Sequence, residues 1–453
     1  MIDRIRPPQI YVIVALAFFL ALVVSAKGLA AEAHNVRLVG YYDLQQRPAL
    51  QIVLKGDFAY VGHHSGTVSN PLSGKSEPNG TSIVDVSDPT QPKLVHHIPG
   101  YAGAESRAVQ VVENFYEGRD FLLRNQESGE FTGFEVWDIT DRSHPTLIST
   151  IAPLEAAHKG WWEPKTGLAY LSGTWPGWHG RHLIIFDLSD PYQPKFIANW
   201  GLSGQEAGAE APEGLDLHHP VVLEKRAYLS YLFGGDVVIL DITRPRQPQI
   251  IAHMDFSPPF SSTHTTVPFL KMKVPNFSPG QGDIRDFLVI SEEAFASNCR
   301  ELRRQIHIID ATTETKPVPV ATFKVPDNDF CSRGGRFGPH QFAETRDGEI
   351  IGGTLLYIAY FNAGLRVVDI SDPGGVSPDD RRASEVLTLV EHGFVLGTTR
   401  DNYAQVMQAR LVSRDFTMRF LEQANVFRLF YPEQWDEEKQ GWVDGFSPDQ
   451  GES

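Results

Sequence analysis

The sequence contains little cysteine and no concentration of positive charge. Only 2 of its 453 residues are cysteine, and 40 lysine and arginine residues stand against 56 aspartate and glutamate residues, so the formal net charge at pH 7 is −16. Contacts to nucleic-acid phosphates need clustered lysine and arginine, and no such cluster occurs, so nucleic acid is excluded as a partner. A two-cysteine metal site is disfavoured because the pair has no Cys-x-x-Cys spacing.

Catalytic and helical signatures are also missing. The chain has no Gly-x-Ser-x-Gly motif, which would indicate the nucleophile elbow of an α/β-hydrolase. Its apolar residues rarely follow helical spacing and occur instead in short runs that are typical of strands. The hydrophobic fraction of 42%, with 27 phenylalanines, is large enough for an extensive buried core. These features favour an all-β protein.

A long hydrophobic run lies near the N-terminus. Arg4 and Arg6 precede "IYVIVALAFFLALVVSA", and small residues follow it. This order predicts a signal peptide over residues 1–31, cleaved after Ala26 or Ala31. An uncleaved membrane anchor is the alternative, since 17 residues are long for a signal core and short for a full span. We therefore expect a periplasmic or secreted protein, which contacts a membrane only through this segment if it is retained.

Export bears on the two cysteines, Cys299 and Cys331. Disulfides form and persist in oxidising compartments. The sequence therefore predicts a disulfide between these two residues, closing a loop across a separation of 32 residues.

One phrase occurs six times along the chain. Its copies are "TSIVDVSDPTQPKLV", "FEVWDITDRSHPTLI", "LIIFDLSDPYQPKFI", "VVILDITRPRQPQII", "IHIIDATTETKPVPV" and "LRVVDISDP". Two β-rich runs precede each phrase, and a turn follows its aspartate, so each unit predicts four strands. A structural hydrogen bond explains these aspartates better than calcium binding, because each leads from a strand into a turn. Neighbouring aspartates are 49 to 69 residues apart, which suits a four-stranded propeller blade: Asp85, Asp138, Asp187, Asp241, Asp310 and Asp369.

The two ends of the chain supply one further blade. Residues 35–44 resemble an outermost strand, and "YAQVMQARL", "DFTMRFLEQ" and "ANVFRLFYP" supply three strands that lack a fourth. Pairing them would close the ring and remove open sheet edges. We therefore predict an all-β, seven-bladed β-propeller over residues 32–432, closed by its N- and C-terminal strands. An acidic, flexible tail is expected over 433–453.

The repeated phrase resembles that of the LVIVD-repeat β-propellers, a family named for segments such as "SIVDVSDP". The resemblance covers nearly all of the chain after the predicted signal peptide, and it implies the propeller fold. It implies little about chemistry, because propellers host many functions.

Histidines stand at the start of the first strand in four consecutive predicted blades. They occur in "EAAHKGWWE", "LDLHHPVVL", "SSTHTTVPF" and "FGPHQFAE". First strands line the axis of a propeller, so these side chains should meet at one mouth of the channel. Neutral imidazoles that converge are the ligands a transition metal needs, and a polar channel mouth is the alternative. The predicted ligands are His158, His218 or His219, His264 and His340. Aligning "HHPVV" on "HKGWW" makes His218 the equivalent of His158 and favours it over His219.

Second strands run antiparallel to the first, so their ends return to the same mouth. His64, Arg124, Glu292 and Glu293 lie near such ends. We expect the two glutamates to orient a ligand imidazole or move a proton, and Arg124 to hold an anionic substrate. His64 is a candidate further ligand or general acid/base.

This arrangement is similar, at the level of the fold, to that of two families. Carotenoid-cleavage oxygenases hold Fe(II) with four axial histidines, and selenium-binding proteins that act as methanethiol oxidases use a histidine-rich copper site. The resemblance implies a metal-dependent oxidoreductase that uses Fe(II) or Cu on a small-molecule substrate. Two alternatives stay open, a non-enzymatic extracellular binding propeller and a metal-assisted hydrolase, although the excess of imidazole over oxygen ligands weighs against the latter.

Overall fold

The structure, a computed structural model, describes most of the repeated region of the chain. The described residues are 33–34, 36–210, 214–257, 262–273, 284–327, 330–343, 355–370, 390–395, 410–412, 417–422, 426–436 and 441–444. The predicted signal peptide lies outside them. No helix within these ranges is long and apolar enough to cross a membrane.

Nearly all regular structure is β-strand, as the short apolar runs predict. Within the described ranges, three short 3₁₀ helices interrupt the strands, at Leu44–Gln46, Phe330–Ser332 and Phe361–Ala363. In chain order the strands are β1 (Ala33–His34), β2 (Val36–Tyr42), β3 (Ala49–Lys55), β4 (Phe58–His63), β5 (Thr67–Asn70), β6 (Lys75–Pro78), β7 (Thr81–Asp85), β8 (Lys93–Ile98), β9 (Val109–Tyr116), β10 (Arg119–Gln126), β11 (Gly133–Asp138), β12 (Thr146–Ile151), β13 (Ala156–Glu163), β14 (Leu168–Thr174), β15 (His182–Asp187), β16 (Lys195–Trp200), β17 (Leu215–Leu223), β18 (Arg226–Phe233), β19 (Asp236–Asp241), β20 (Gln249–Asp255), β21 (Thr263–Lys273), β22 (Ile284–Glu292), β23 (Ile306–Asp310), β24 (Val318–Phe323), β25 (Leu355–Ala359), β26 (Leu365–Asp369), β27 (Val390–Val395), β28 (Arg410–Val412), β29 (Thr417–Glu422), β30 (Val426–Asp436) and β31 (Gly441–Asp444).

The strands form antiparallel sheets in which neighbours in sequence pair. Blade 1 has the order β3-β4-β7-β8, with the hairpin β5-β6 inserted between its second and third strands. Blades 2 to 5 are β9 to β12, β13 to β16, β17 to β20 and β21 to β24. Blade 6 contains β25-β26-β27, with β1 paired beside β27. Repeated four-stranded antiparallel sheets confirm the prediction of an all-β propeller.

The terminal sheet joins strands from both ends of the chain. It has the order β2-β30-β29-β28, and β2 pairs with β30 from Val36 opposite Pro432 to Tyr42 opposite Phe427. β31 pairs with β30 on a separate path, so a hairpin occupies part of the stretch 433–453 for which we expected a flexible tail. The count of seven blades and the closure of the ring stay predictions, because residues 371–389 and 396–409 lie outside the described ranges.

The repeated aspartates have the structural role that their sequence context predicts. In blades 1 to 5 each ends the third strand, and its Oδ1 accepts a hydrogen bond from the backbone N–H two residues later at 2.8–3.0 Å, while Asp369 ends β26 in blade 6. This bond fixes the turn into the fourth strand.

The apolar core lies between neighbouring blades. One buried cluster joins Leu123 and Phe134 of blade 2 to Leu171 and Ile184 of blade 3, and another spans blades 3, 4 and 5. Because packing is satisfied between the sheets, the first strands are free to carry polar side chains at the axis.

Candidate metal centre and its cavity

Three of the four axial histidines lie at irregular strand pairing, and the fourth, His340, lies outside the named strands, where its backbone N–H donates to the carbonyl oxygen of Ala359 at 2.9 Å. His158, His218 and His264 each lie at a register shift in the first strand of its blade, in β13, β17 and β21 respectively. A bulge adds an unpaired residue and re-aims its side chain. His219, by contrast, pairs with Ser230 in the regular ladder. The bulge therefore decides which of the two adjacent histidines joins the axial group.

The four axial rings form a row in blade order. The ring centroids of His158 and His218 are 4.5 Å apart, those of His218 and His264 are 3.8 Å apart, and those of His264 and His340 are 4.1 Å apart. All four side chains are buried. Within the described residues, His218, His264 and Glu293 form a compact donor set, whose ligand atoms lie within 4.8 Å of one another.

In this row, Nε2 of His158 faces Nε2 of His218, and in the neutral tautomers neither atom carries a proton. His158 Nδ1 lies 2.8 Å from Oε1 of Glu127, and His218 Nδ1 lies 3.0 Å from the carbonyl oxygen of His264. A carboxylate and a carbonyl only accept, so both Nδ1 atoms donate. In neutral imidazoles each Nε2 then carries a lone pair, and the two Nε2 atoms are 2.8 Å apart. A proton shared between them, or a metal ion that accepts their lone pairs, would relieve the repulsion of these lone pairs.

Glu293 lies at the other end of the row. Its carboxylate oxygens are 3.8 Å from Nε2 of His264 and 3.5 Å from Nε2 of His340, and Arg336 Nη1 donates to it at 2.7 Å. Burial raises the pKa of Glu293, and Arg336 opposes that shift. Nδ1 of His340 is buried and has no hydrogen-bond partner. The Glu293 carboxylate and the His340 imidazole therefore still have lone pairs with which to bind an ion beside the row.

Burial keeps the imidazoles neutral. Desolvation lowers the pKa of His158 to about 3, against the opposing attraction of Glu127, and it lowers the pKa values of His218, His264 and His340 well below the usual value. Burial alone would raise the pKa of Glu127, but the nearby His158 and Arg107 outweigh it and hold that pKa below its usual value. Neutral imidazoles beside carboxylates are the protonation states that metal ligation requires.

A cavity of about 450 Å³ opens onto this row. Small-molecule sites commonly occupy clefts of roughly 300–1,000 Å³. Besides the four histidines and Glu293, its lining includes charged side chains and two aromatic rings: Arg107, Lys159, Arg181, Asp216, Arg336, Phe233 and Phe295.

Comparison with known proteins bears on the fold. The LVIVD repeat model matches residues 77–98 and 350–377. The chain carries LVIVD repeats. No curated protein matches its sequence.

Solved structures similar to this LVIVD-repeat propeller share 12% sequence identity with it. Sqt1 from Chaetomium thermophilum is matched over 88% of this chain and 99% of its own, with a TM-score of 0.52. A protein from Lactobacillus plantarum (92% and 95%, TM-score 0.49) and the periplasmic gluconolactonase of Pseudomonas aeruginosa (81% and 100%, TM-score 0.47) are also similar. At this identity the likeness to Sqt1 concerns the fold alone.

Only some of the predicted catalytic residues of the LVIVD-repeat propeller line the cavity. His64 and Glu293 line the cavity. Glu292 faces away from it, with its Oε2 3.3 Å from Nε2 of His307 and its Oε1 3.4 Å from Nη1 of Arg304. The pleat explains the difference, since successive residues of a strand point to opposite faces.

Arg124 also lies outside the cavity lining. Its Nε donates to Oε2 of Glu135 at 2.6 Å, and its two Nη atoms donate to the carbonyl oxygens of Ile98 and Pro99 at 3.0 and 2.8 Å. Its donors are therefore directed to a buried structural network, and the expected contact with an anionic substrate finds no support in its position. His219 likewise contacts Gln341, at 3.4 Å from its Nδ1.

Sequence reasoning missed Glu127, although a signal existed. His64, Glu127 and Glu293 each follow directly after the second strand of a blade, after β4, β10 and β22. His64 and Glu293 line the cavity, and Glu127 contacts its lining residue His158. The shared position identifies all three, whereas the strand pattern of the sequence indicates Arg124 in blade 2, three residues before Glu127.

The predicted disulfide is confirmed. Cys299 and Cys331 are bonded, with their Cα atoms 5.3 Å apart. Close by, the backbone N–H of Asn298 donates to the carbonyl oxygen of Gly335 at 2.8 Å, and Ser297 forms a bridge with Arg336. The bond thus ties the loop that follows Glu293 to the loop that carries Arg336.

Proposed function

We propose that this protein is a metal-dependent oxidoreductase that binds one transition-metal ion at the axial histidines and acts on a small molecule. The observation that carries the proposal is the pair of Nε2 lone pairs of His158 and His218, which face each other at 2.8 Å. A metal ion that accepts lone pairs from these nitrogens, or a proton shared between them, would relieve this repulsion.

The donors around that pair favour a metal ion over a shared proton. A proton joins two atoms, whereas His264 and Glu293 bring further donor atoms to His218, all within 4.8 Å of one another. Two histidines and one carboxylate with open positions are typical of non-haem Fe(II) centres, and imidazole-rich sets also suit copper. Magnesium and calcium prefer all-oxygen ligands. We therefore propose Fe(II) or Cu as the ion, with His158, His218, His264 and Glu293 as its ligands and His340 beside them.

The chain's own residues hold the ligands in place. Glu127 fixes the tautomer and the orientation of His158 through its Nδ1, and the backbone carbonyl of His264 does the same for His218. Arg336 positions Glu293. When bound, a redox-active ion supplies Lewis acidity and electron transfer, and the cavity beside it holds the substrate and limits its contact with water.

We propose that the protein acts in the periplasm or outside the cell. The N-terminal hydrophobic run with its preceding arginines supports export. The disulfide is suited to an oxidising compartment.

Elemental analysis of protein purified from the periplasm of an expression host tests the proposal. We expect about one equivalent of iron or copper per chain in the wild type and in His144→Ala, whose side chain is 82% exposed and remote from the row. His218→Ala and His264→Ala should lose that metal while keeping the wild-type circular dichroism spectrum. A folded wild type that takes up no stoichiometric iron or copper would refute the metal site and leave a metal-free binding propeller.

A further inference from the structure

Most cations in the cavity lining already have close partners. Arg107 Nε lies 2.8 Å from Glu105 and 2.6 Å from Glu127. Lys159 Nζ donates to Gln51 at 3.2 Å, and Arg336 is paired with Glu293, as described above. These three side chains are held in place by the protein itself.

Arg181 is different. Its closest carboxylate oxygens are 3.6 Å away on Asp216 and 3.9 Å away on Glu127. Its Nε is buried and makes no hydrogen bond. A guanidinium fork matches the two oxygens of one carboxylate, and a buried donor without an acceptor costs about 1–3 kcal/mol. The guanidinium of Arg181 therefore lies at the cavity without a hydrogen-bond acceptor for its Nε, and a bound ligand would have to supply that acceptor.

The charged side chains that line the cavity also favour an anionic ligand. The lining holds four cations, Arg107, Lys159, Arg181 and Arg336, against two carboxylates, Asp216 and Glu293. The lining itself therefore has two more positive than negative side chains, and Glu105 and Glu127 contact Arg107 from behind it. Clefts lined by one sign of charge concentrate ligands of the opposite sign. The cavity is thus electrostatically suited to an anion.

Two phenylalanines in the lining face solvent. Phe233 and Phe295 are 51% and 38% exposed, and their rings stack at a centroid distance of 5.4 Å with planes inclined by 25°. Phe233 also has φ of 69°, a left-handed conformation that is unfavourable for an aromatic residue. Strain of this kind persists where the surrounding structure imposes it, often at ligand sites. The pair offers a flat apolar surface at the cavity.

We propose that the cavity takes a small aromatic carboxylate, with its carboxylate on Arg181 and its ring against Phe233 and Phe295. The inference rests on the proposed function and names the substrate class of the same site. The anion recognition that the sequence assigned to Arg124 belongs to Arg181.

Calorimetric titration with benzoate tests this assignment, with benzamide as a neutral isostere and acetate as an anion without a ring. The wild type should bind benzoate at least tenfold more tightly than either. Arg181→Gln should weaken benzoate about 10- to 100-fold, as expected for the loss of a charge-assisted hydrogen bond. Phe233→Leu should weaken benzoate and leave acetate unchanged.

Matched controls are available on the outside of the molecule. Arg119, 46% exposed and paired with Asp138 at 2.6 Å, and Phe196, 43% exposed, both lie outside the cavity lining. Arg119→Gln and Phe196→Leu should bind benzoate like the wild type. Should Arg181→Gln fail to fold, Arg181→Lys replaces it, and this variant should lose affinity because it lacks the fork.

The same titration on His218→Ala separates this inference from the metal proposal. Binding of benzoate to that variant, with the same dependence on Arg181 in a double variant, supports the carboxylate site whatever the metal content of the wild type. Equal affinities of the wild type for benzoate and benzamide, or unchanged benzoate binding by a folded Arg181→Gln protein, would overturn it.

Discussion

Replacing Arg124 by Gln should destabilise the fold strongly, because its guanidinium is part of a buried ion pair. The side chains of Arg124 and Glu135 are 1% and 2% exposed, and Nε and Oε2 are 2.6 Å apart. The replacement also removes the hydrogen bonds to the carbonyl oxygens of Ile98 and Pro99. Breaking a buried pair by removing one partner costs about 3–5 kcal/mol, since the remaining charge stays buried. We expect a loss of that size in the free energy of unfolding.

Equilibrium unfolding in urea, followed by tryptophan fluorescence, measures this loss. Arg119→Gln is the control, because the Arg119 side chain is 46% exposed, so solvent screens its ion pair with Asp138, which should be worth about 1 kcal/mol or less. The double variant Arg124→Met, Glu135→Leu should recover much of the stability, since no unpaired charge then remains. An Arg124→Gln protein within about 1 kcal/mol of the wild type, or one that loses benzoate binding at full stability, would refute the structural role.

Three further predictions concern stability. Replacing both Cys299 and Cys331 by Ser should lower the free energy of unfolding by about 3–4 kcal/mol, given a loop separation of 32 residues, and an unchanged urea midpoint would contradict this. Burial lowers the pKa of His97 to about 4, so as the pH drops the unfolded chain takes up a proton before the folded chain does. The free energy of unfolding should therefore fall between about pH 6.5 and pH 4. His97→Gln should reduce this dependence on pH, and an identical dependence would exclude His97 as a source of it. If β2 closes the ring by pairing with β30, ending the chain after residue 425 should strip residues 36–42 of protection from hydrogen exchange, and intact protection would argue against closure.

The fold was predictable because each blade repeats the same local rules. The turn after Asp85 and its equivalents depends on hydrogen bonds within a few residues, so the sequence alone displays it. Alternating apolar strands then fix which face packs against the next blade. Six copies of one pattern determine the architecture even where individual strands depart from it.

The site was predictable only in part, because bulges and loops break those rules. A one-residue shift in pairing exchanges the faces of a strand, and only the alignment of "HHPVV" with "HKGWW" favoured His218 over His219 as the axial residue of β17. Arg181 lies just before the third strand of blade 3, and Arg336 lies in a loop that the disulfide ties down. Their proximity to the histidines depends on tertiary structure, which the repeat pattern does not encode.

Because of the bulges, side chains at the axis of this propeller can change without changing the blades that carry them. A bulged residue has no partner on the neighbouring strand, so exchanging it changes the cavity without disturbing the ladder or the packing between blades. Blade 1 shows the possibility, since the register shift in β3 covers Leu50, which lines the same cavity where other blades present imidazole. A scaffold built in this way can alter its ligand set one blade at a time. Leu50→His would place a further imidazole at the cavity in exchange for a buried apolar side chain, which makes this position a starting point for redesigning the centre.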